Sequence, residues 1–365
     1  MKILYVTTVS STLDFFPEHI RMLQKAGHTV EFAAHRNKPM ADAVSALNCT
    51  YHEVGFSRSP LSADNIRACR ELKKIVEAGK VDLVHCHTPN AAAITRLVCR
   101  KMRRQGLKVF YTCHGFHFYK GAPFKNWLLF YPAEWLCSFW TDKLITINSE
   151  DYRMAQRHLH SGETLYVPGV GVAAERFRTA GVTRVQERKK LELPEDAFVL
   201  MTVGELNQNK NQSVVVQAMA MLQENDIHYV IVGGGDYEQK IRACADNLGL
   251  SDRVHLLGVR KDVPELLKAA DVYLLPSFRE GLNVSIMEAM ASGLPVACSR
   301  IRGNEDLVDE TGGAFFAPGS AQEVSNAIAS LRREDRGAMG HYNCRKVEKF
   351  SQDTVLKLMK DAYQI

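Results

Sequence analysis

Two carboxylates, Glu280 and Glu288, stand close together in the sequence and have the clearest potential for chemistry. An apolar run over residues 272–275 comes before them and predicts a buried strand. Asn283 is a good N-cap residue, so a short helix is predicted over residues 284–292. Glu280 is therefore expected on the loop at the carboxyl end of a strand, and Glu288 on the helix that follows.

This placement suits a ligand that carries many hydroxyls and a phosphate. In an open α/β sheet, the crevice at the carboxyl ends of the strands is where ligands bind. A helix N-terminus offers free N–H groups and the positive end of its dipole to a phosphate. Carboxylates accept hydrogen bonds from hydroxyls.

A second loop carries a positively charged side chain that suits the phosphate of such a ligand. A strand is predicted to end at Gly204, a polar loop follows, and a helix is predicted to start near Gln212. Lys210 is thus expected beside a helix N-terminus, where a point positive charge suits a diphosphate. Taken alone, this loop leaves open that Lys210 is simply a solvated lysine.

The elements that must position these residues follow a βα rhythm. Alternating apolar strands and helical patterns predict parallel sheets covered on both faces, and ten strands fit two sheets better than one. The predicted strands are 3–7, 30–34, 83–86, 109–112, 144–147, 199–203, 229–232, 254–257, 272–275 and 296–298. The turn-rich stretch 168–172 predicts a first domain over 1–167, a second over 168–349, and a C-terminal helix within 350–365 that packs back on the first domain.

Composition excludes several classes of protein. The chain has 365 residues, 46% of them hydrophobic, and a net charge of +5 spread over short, scattered basic clusters, so no nucleic-acid partner is expected. No apolar window is long enough for a transmembrane helix, and no signal peptide is recognised. Nine cysteines without regular spacing indicate reduced thiols, and a cytoplasmic location is expected.

Together, the segments 203–211 and 280–296 resemble the retaining nucleotide-sugar-dependent glycosyltransferases of family 4. The resemblance covers most of the chain and is strongest over residues 198–320. It implies the GT-B fold, an α/β architecture of two Rossmann-like parallel-sheet domains facing across a cleft. The segments 204–211 and 112–123 also resemble a bacterial subgroup that makes capsule and exopolysaccharide.

The resemblance implies a role for each donor-side residue. Glu280 is implied to contact the donor sugar, and Glu288 is implied to bind the ribose hydroxyls. Lys210, in the loop that follows Gly204, is implied to bind the diphosphate, and Gly204 itself is counted among the donor-binding residues. The remaining donor-binding residues are the phosphate-holding loop Gly281, Leu282 and Asn283, and Arg260 in the loop that holds the base.

One position departs from the family pattern. Many members carry an arginine where this chain has Glu205, and a carboxylate cannot neutralise a diphosphate. The charge would then rest on Lys210 and the helix N-terminus, with Arg260 or Arg279 as further candidates.

In the first half, His114 follows the predicted strand 109–112 and is implied to approach the donor sugar. His117, Lys120 and Ser10 are the acceptor-side candidates. Ser10 lies in the loop 8–12, which lacks the glycines that family members often have there, so hydroxyls and N–H groups would serve instead.

Two other interpretations of the motifs are disfavoured. His85, His87 and the histidines near Cys113 invite a zinc site, but their spacings match no common structural site. The glycines 233–235 invite a dinucleotide site, but they lack the full fingerprint and its acidic residue, and a tight strand-to-helix turn explains them better.

The aromatic-rich stretch 127–140 has two interpretations. It forms either a buried helix pair or a partly exposed surface that meets an anionic membrane or a lipid-linked acceptor.

The sequence therefore predicts a retaining hexosyl- or N-acetylhexosaminyltransferase. It would move a sugar from a nucleotide-diphosphate donor, with uridine as the favoured base, to a hydroxyl of a glycan or lipid-linked glycan in capsule or exopolysaccharide synthesis. No cofactor and no metal are expected, and the location is the cytoplasm with peripheral contact at the inner face of the plasma membrane. The alternatives are a GT-B sugar-nucleotide epimerase and an NAD-dependent oxidoreductase.

Overall fold

The computed structural model describes residues 1–222 and 224–365, which divide into two compact units. The first unit comprises Met1–Val170 and Asp353–Ile365, and the second comprises Gly171–Gln352. The units meet after residues 170 and 352, and each of these boundaries lies three residues beyond the expected domain boundary, at 167 and 349.

The first unit is built on a sheet of seven parallel strands in the order β3-β2-β1-β4-β5-β6-β7. Its strands are β1 (Lys2–Val9), β2 (Thr29–His35), β3 (Thr50–Glu53), β4 (Leu83–His87), β5 (Lys108–Cys113), β6 (Lys143–Thr146) and β7 (Glu163–Tyr166). The order reverses between β1 and β4, which places a ligand-binding crevice of the Rossmann type at their carboxyl ends.

The second unit is built on a sheet of six parallel strands in the order β10-β9-β8-β11-β12-β13. Its strands are β8 (Phe198–Val203), β9 (Ile227–Val232), β10 (Val254–Leu256), β11 (Val272–Leu275), β12 (Val296–Ser299) and β13 (Gly313–Phe316). Two Rossmann-like parallel sheets in two units confirm the predicted fold class.

Helices connect the strands in both units. In chain order they are α1 (Pro17–Lys25), α2 (Asp42–Ser45), α3 (Asp64–Gly79), α4 (Pro89–Cys99), α5 (Phe124–Ser138), α6 (Ser149–His158), α7 (Ala174–Arg178), α8 (Arg184–Lys190), α9 (Ser213–Leu222), α10 (Glu238–Asn247), α11 (Val263–Leu267), α12 (Val284–Ala291), α13 (Asn304–Leu307), α14 (Ala321–Arg333), α15 (Arg336–Lys346) and α16 (Gln352–Tyr363). Short 3₁₀ turns lie at Ser10–Phe15, Met102–Gln105, Ser251–Arg253 and Val347–Phe350.

The central strands are buried on both faces, as expected for a parallel sheet between helical layers. Every residue of β9 and every residue of β4 is buried. The C-terminal helix α16 belongs to the first core, where Tyr363 makes hydrogen bonds through its hydroxyl with His85 Nδ1 (2.5 Å) and Tyr5 (3.2 Å).

The strands β3, β7 and β13 were not predicted from the sequence. Each lies at an edge of its sheet and is only partly buried. In β3 and β7, polar residues interrupt the apolar run by which the central strands are recognised, whereas β13 is apolar but has only four residues and begins with glycine.

Residues 127–138 of the aromatic-rich stretch belong to the single helix α5, with Pro132 inside it, so the first of the two interpretations, a buried helix pair, is wrong. One side packs on the core through Trp127, Phe130 and Tyr131. The opposite side exposes large apolar side chains, including Phe124 (81%) and Leu128 (69%). Among the described helices, none combines the length and the apolar character needed to cross a bilayer.

Candidate active site

Three neighbouring loops at the carboxyl edge of the second sheet are tied together by backbone hydrogen bonds. The amide of Leu206, after β8, donates to the carbonyl of Gly234, after β9, over 3.0 Å. The amide of Gly233 donates in turn to the carbonyl of Gly258, after β10, over 2.8 Å. The segments predicted to hold the diphosphate and the base therefore form one connected edge.

Glycine is required where two of these loops touch. Gly233 has a φ of +144°, and a Cβ built on it would lie 1.9 Å from the carbonyl oxygen of Gly204. Gly235 has a φ of +155°, and its Cβ would lie 2.3 Å from the carbonyl oxygen of Leu206. Gly233 and Gly235 thus serve a close approach of backbones, in agreement with the tight turn that the sequence favoured.

Lys210 lies in the turn before α9 and reaches the loop after β11. Its backbone amide donates to Asn207 Oδ1 over 3.0 Å, which fixes the turn. Its Nζ lies 2.7 Å from Oε1 of Glu280, and the two side chains are only 18% and 12% exposed. Two residues that the sequence predicted to act on one ligand are therefore adjacent in the folded unit.

Glu205 occupies an exposed position in the same loop. Its Oε2 accepts from Asn207 Nδ2 over 2.9 Å, and its backbone carbonyl accepts from the side chain of Gln212 over 3.0 Å. The side chain that stands in the place of the usual arginine is thus held by an amide of its own loop.

The helix α12 begins as predicted. Asn283 has an extended backbone conformation, and its Oδ1 accepts from the amide of Ile286 over 3.2 Å and from the hydroxyl of Ser285 over 2.6 Å. The hydroxyl of Tyr273, on β11, donates to Ser285 over 2.5 Å, so the cap is anchored to the sheet. This N-cap fixes where the free amides of the first turn point.

Glu288 lies farther along α12 and is partly buried. Burial raises the pKa of this carboxyl to about 7, and the positive charge of Arg176 lowers it by a smaller amount. Near neutral pH the residue is therefore divided between its neutral and ionised forms, which makes it sensitive to any partner that prefers one of them.

The other arginines nominated by the sequence lie in different environments. Arg260 donates to both carboxylate oxygens of Asp262, over 2.8 and 2.5 Å, and is thus already ion-paired. Arg279 is exposed, and its backbone carbonyl accepts from Asn209 Nδ2 over 2.9 Å.

Sequence reasoning missed Arg302. It is only 6% exposed, and its Nε donates to the backbone carbonyl of Glu280 over 3.4 Å. The neighbouring Gly303 packs so closely that a Cβ there would lie 2.1 Å from the carbonyl oxygen of Gly281. The available signal was its position just after the apolar run 296–298, but only the structure shows that the strand formed by this run, β12, lies beside β11.

In the first unit, His114 follows β5, and its Nε2 lies 3.2 Å from Nδ1 of His87 at the end of β4. Burial lowers the pKa of His114 to about 4, so its imidazole is neutral at physiological pH.

The acceptor-side candidates are spread along the same edge. The carbonyl of His117 accepts from Asn126 Nδ2 over 3.0 Å, and its ring packs on Phe130. Lys120 is exposed. Ser10 is fully buried, and its hydroxyl donates to the segment 37–38 over 3.0 to 3.1 Å, which argues against direct contact with an acceptor.

Two adjoining cavities lie near these residues in the first unit. A larger one of about 950 Å³ opens beside the carboxyl ends of β2 and β3, and a smaller one of about 300 Å³ opens near β1 and β4. Val9 and Arg58 line both cavities, and His117 lines the smaller one.

The histidines that invited a zinc interpretation are engaged with one another and with hydroxyls. His85 makes hydrogen bonds through Nδ1 with Tyr363 and through Nε2 with Thr112, and His87 makes one with His114. Within residues 1–222 and 224–365, no group of three or more His, Cys, Asp or Glu side chains is arranged to hold a metal ion.

Two family models match the chain, one for each half. The model described as "Glycosyltransferase Family 4" matches residues 18–172, and the one described as "Glycosyl transferases group 1" matches residues 183–344. The first match ends close to residue 170, where the chain passes from the first unit to the second.

Curated relatives match over most of the chain. It is 35% identical to the putative glycosyltransferase EpsD of Bacillus subtilis, covering 98% of this chain and 92% of that protein. It is 30% identical to the UDP-Gal:alpha-D-GlcNAc-diphosphoundecaprenol alpha-1,3-galactosyltransferase of Escherichia coli, covering 83% and 82%.

Among solved structures, Anabaena Alr3699/HepE in complex with UDP-glucose matches with a TM-score of 0.81 and 18% identity, covering all of both chains. The same fold is thus found in a protein of low sequence identity. The chain is a glycosyltransferase of the GT-B fold, and it belongs to glycosyltransferase family 4, where it resembles enzymes of exopolysaccharide synthesis.

Proposed function

We propose that this glycosyltransferase is a retaining enzyme that transfers a hexosyl or N-acetylhexosaminyl group from a UDP-sugar to a hydroxyl of a lipid-linked glycan. The observation that supports the proposed donor site is the ion pair of Lys210 with Glu280, and Glu280 lies in the loop just before the capped N-terminus of α12. Two relatives support the choice of substrates, because the Anabaena protein forms a complex with UDP-glucose and the E. coli enzyme is named for UDP-Gal and a diphosphoundecaprenol-linked acceptor.

Donor binding exchanges the partners of this ion pair. A diphosphate is a stronger attractor for a lysine ammonium than one carboxylate, so Lys210 turns from Glu280 towards the phosphate oxygens. Glu280 is then released to accept hydrogen bonds from the sugar hydroxyls, and Glu288 accepts from the ribose. Amides of Gly281 to Asn283 complete the phosphate contacts.

Catalysis in this proposal rests on positioning and on stabilising the departing diphosphate. Lys210 and the first-turn amides of α12 meet the charge that develops on the leaving group. With Glu280 assigned to the sugar and Glu288 to the ribose, neither serves as a covalent nucleophile. We therefore favour departure and attack on the same face of the sugar, which retains its configuration.

The two cavities of the first unit support a polar acceptor. The larger one is lined by the ion pair of Arg67 with Glu71 and by the hydrogen-bonded side chains of His35 and Glu53, which offer both donors and acceptors to a hydroxyl-rich glycan. The described lining of the smaller one carries Arg58 and no carboxylate, which suits the phosphate of a lipid-linked acceptor.

The exposed side of α5 supports peripheral contact with an anionic membrane at the inner face of the plasma membrane. The same helix carries the exposed cation Lys125, and the exposed Lys120 lies in the loop before it, so apolar side chains and cations occur together, the combination by which interfacial helices bind anionic lipid. Such contact would bring a cytoplasmic enzyme to a lipid-linked acceptor.

A panel of nucleotide sugars tests the proposal. The purified protein is incubated with UDP-glucose, UDP-galactose, UDP-GlcNAc, UDP-GalNAc and GDP-mannose, with and without a diphosphate-linked GlcNAc lipid, and nucleoside diphosphate release is measured. We expect acceptor-dependent release from a UDP-sugar and an α-linked product by NMR. Conversion of the donor sugar without an acceptor would instead indicate an epimerase, and equal rates in the Lys210→Ala and wild-type proteins would contradict the proposal.

A further inference from the structure

We propose that His87 is a positioning residue that fixes the tautomer of His114, so that His114 presents Nδ1–H as a hydrogen-bond donor. The tautomer itself follows from contacts within the first unit. Only its use in catalysis rests on the proposed function.

The two rings meet because of the sheet register. His87 ends β4 and is paired with Thr112 on β5, two residues before His114. The loop after β5 then brings Nε2 of His114 to 3.2 Å from Nδ1 of His87. His114 therefore has its Nε2 occupied, and Nδ1 is the ring nitrogen left for another partner.

His87 itself is held firmly. It is 1% exposed, and its ring centroid lies 4.4 Å from that of Phe16, 4.3 Å from that of His85 and 5.1 Å from that of Tyr5. A ring packed on several sides is a fixed reference against which His114 is oriented.

Both imidazoles are neutral near pH 7. Burial is the main cause that lowers the pKa of each, to about 4 for His114 and well below the ordinary value for His87. Each ring thus carries a single N–H, and the contact between them contains one proton, which belongs to either His87 Nδ1 or His114 Nε2.

The other nitrogen of His87 decides between these arrangements. Its Nε2 is buried and has no hydrogen-bond partner in the part of the chain that the structure describes. If His114 were the donor, His87 would carry its proton on this Nε2, as a buried N–H with no acceptor. Orphaned buried N–H groups are rarer than orphaned acceptors, so His87 Nδ1–H donates to His114 Nε2.

This assignment gives His114 a defined chemical role. With its Nε2 accepting, the ring must carry its own proton on Nδ1, where it can donate to a sugar hydroxyl or to the departing oxygen. A neutral donor keeps this ability across the physiological pH range, because the ring does not titrate there. Without His87, the ring would be free to adopt the other tautomer.

Nitrogen-15 NMR tests the tautomer directly. In the full-length protein labelled at histidine, two-bond ¹H–¹⁵N spectra at pH 7.5 should show His114 and His87 both protonated at Nδ1, with assignments from the His114→Asn and His87→Asn proteins. In His87→Asn the amide Nδ2 can replace the donor and should preserve the His114 signature, whereas His87→Leu should lose it. A wild-type His114 protonated at Nε2 would overturn the proposal, even if the leucine variant fails to fold.

Kinetics test the consequence for the reaction. We expect His87→Leu to lower kcat at least about tenfold with little change in the KM for the donor, and His87→Asn to recover most of the loss. The exposed His158→Asn, at the end of α6, is the matched control. An unchanged kcat in His87→Leu would contradict the positioning role. If the wild-type protein turned over no donor, the proposed function would fail, while the NMR result on the tautomer would stand.

Discussion

Nζ of Lys210 lies 2.7 Å from Oε1 of Glu280, although the two residues are seventy positions apart in the chain. Both side chains are largely withdrawn from solvent, so each charge is stabilised mainly by the other. In the proposed donor site, a diphosphate that binds Lys210 competes with Glu280 for the ammonium, and this competition couples the diphosphate and the sugar ends of the site.

The Glu280→Gln variant should affect the diphosphate end and the sugar end of the proposed donor site differently. Removing the negative charge frees Lys210, so calorimetry should give a UDP affinity equal to or higher than that of the wild type. Turnover of the UDP-sugar should fall, because the amide accepts hydrogen bonds from the sugar hydroxyls less strongly than the carboxylate does. A large loss of UDP affinity in this variant would place Glu280 on the nucleotide and contradict its assignment to the sugar.

Glu288 should make nucleotide binding dependent on pH. Its pKa is raised to about 7, and a carboxylate that accepts from ribose hydroxyls must be ionised, so affinity should rise with pH through that value. UDP also titrates, so the measurement is the affinity ratio of wild type to Glu288→Gln, which should increase severalfold between pH 6 and pH 8. A ratio independent of pH would show that Glu288 does not bind the nucleotide.

The same shift predicts the direction of the pH dependence of stability. Because the folded protein binds this proton more tightly than the unfolded chain, the free energy of unfolding falls as pH rises from about 4.5 to about 7. The loss approaches roughly 3 kcal/mol at 1.4 kcal/mol per pH unit. Glu288→Gln should abolish it in denaturant titrations at pH 5 and pH 8.

Gly233→Ala should damage the donor site through its backbone. The new Cβ would lie 1.9 Å from the carbonyl oxygen of Gly204, so the loop that leads to Lys210 must move. We expect UDP affinity to fall at least about tenfold. Gly181→Ala is the matched control, because a Cβ there meets nothing within 4 Å. Equal affinities of the two variants would show that the loop position does not matter.

Membrane contact through α5 should depend on both lipid charge and apolar side chains. We expect the protein to sediment with liposomes that contain anionic lipid, less so at high salt, and the Phe124→Glu/Leu128→Glu double variant to stay in the supernatant. Leu61→Glu serves as control, since Leu61 is also highly exposed (86%) but lies outside the helix. Identical sedimentation of the wild type, the double variant and Leu61→Glu would show that this side of α5 does not bind the membrane.

Local signals were enough to predict the segment from β11 to α12. The apolar run, the Asn283 cap and the terminating Gly293 all act on neighbouring residues, so the strand is found as predicted and the helix ends one residue early. The edge strands β3 and β7 carry no comparable signal, because their partly exposed faces tolerate polar residues, and in β13 a four-residue run that begins with glycine is too short and too small a signal.

Contacts that depend on strand order could not be predicted from the sequence. Arg302 reaches Glu280 because β12 lies beside β11, and His87 reaches His114 because β4 lies beside β5. The spacing of the residues along the chain does not indicate which strands are neighbours in the sheet. The roles predicted from the sequence for Ser10, His117, Lys120 and Arg260 remain predictions, and the buried hydroxyl of Ser10 and the ion pair of Arg260 weigh against two of them.

Calorimetric titration with UDP, using Lys210→Ala and Lys189→Ala, tests whether Lys210 binds the diphosphate. Lys189 is an exposed lysine on α8, distant in sequence from the loops of the site, and its variant should bind like the wild type. Loss of a charged hydrogen-bond donor to the diphosphate should weaken binding by Lys210→Ala about 10- to 100-fold, corresponding to roughly 1.5–3 kcal/mol. Equal UDP affinities of the wild-type and Lys210→Ala proteins would contradict the proposed donor site.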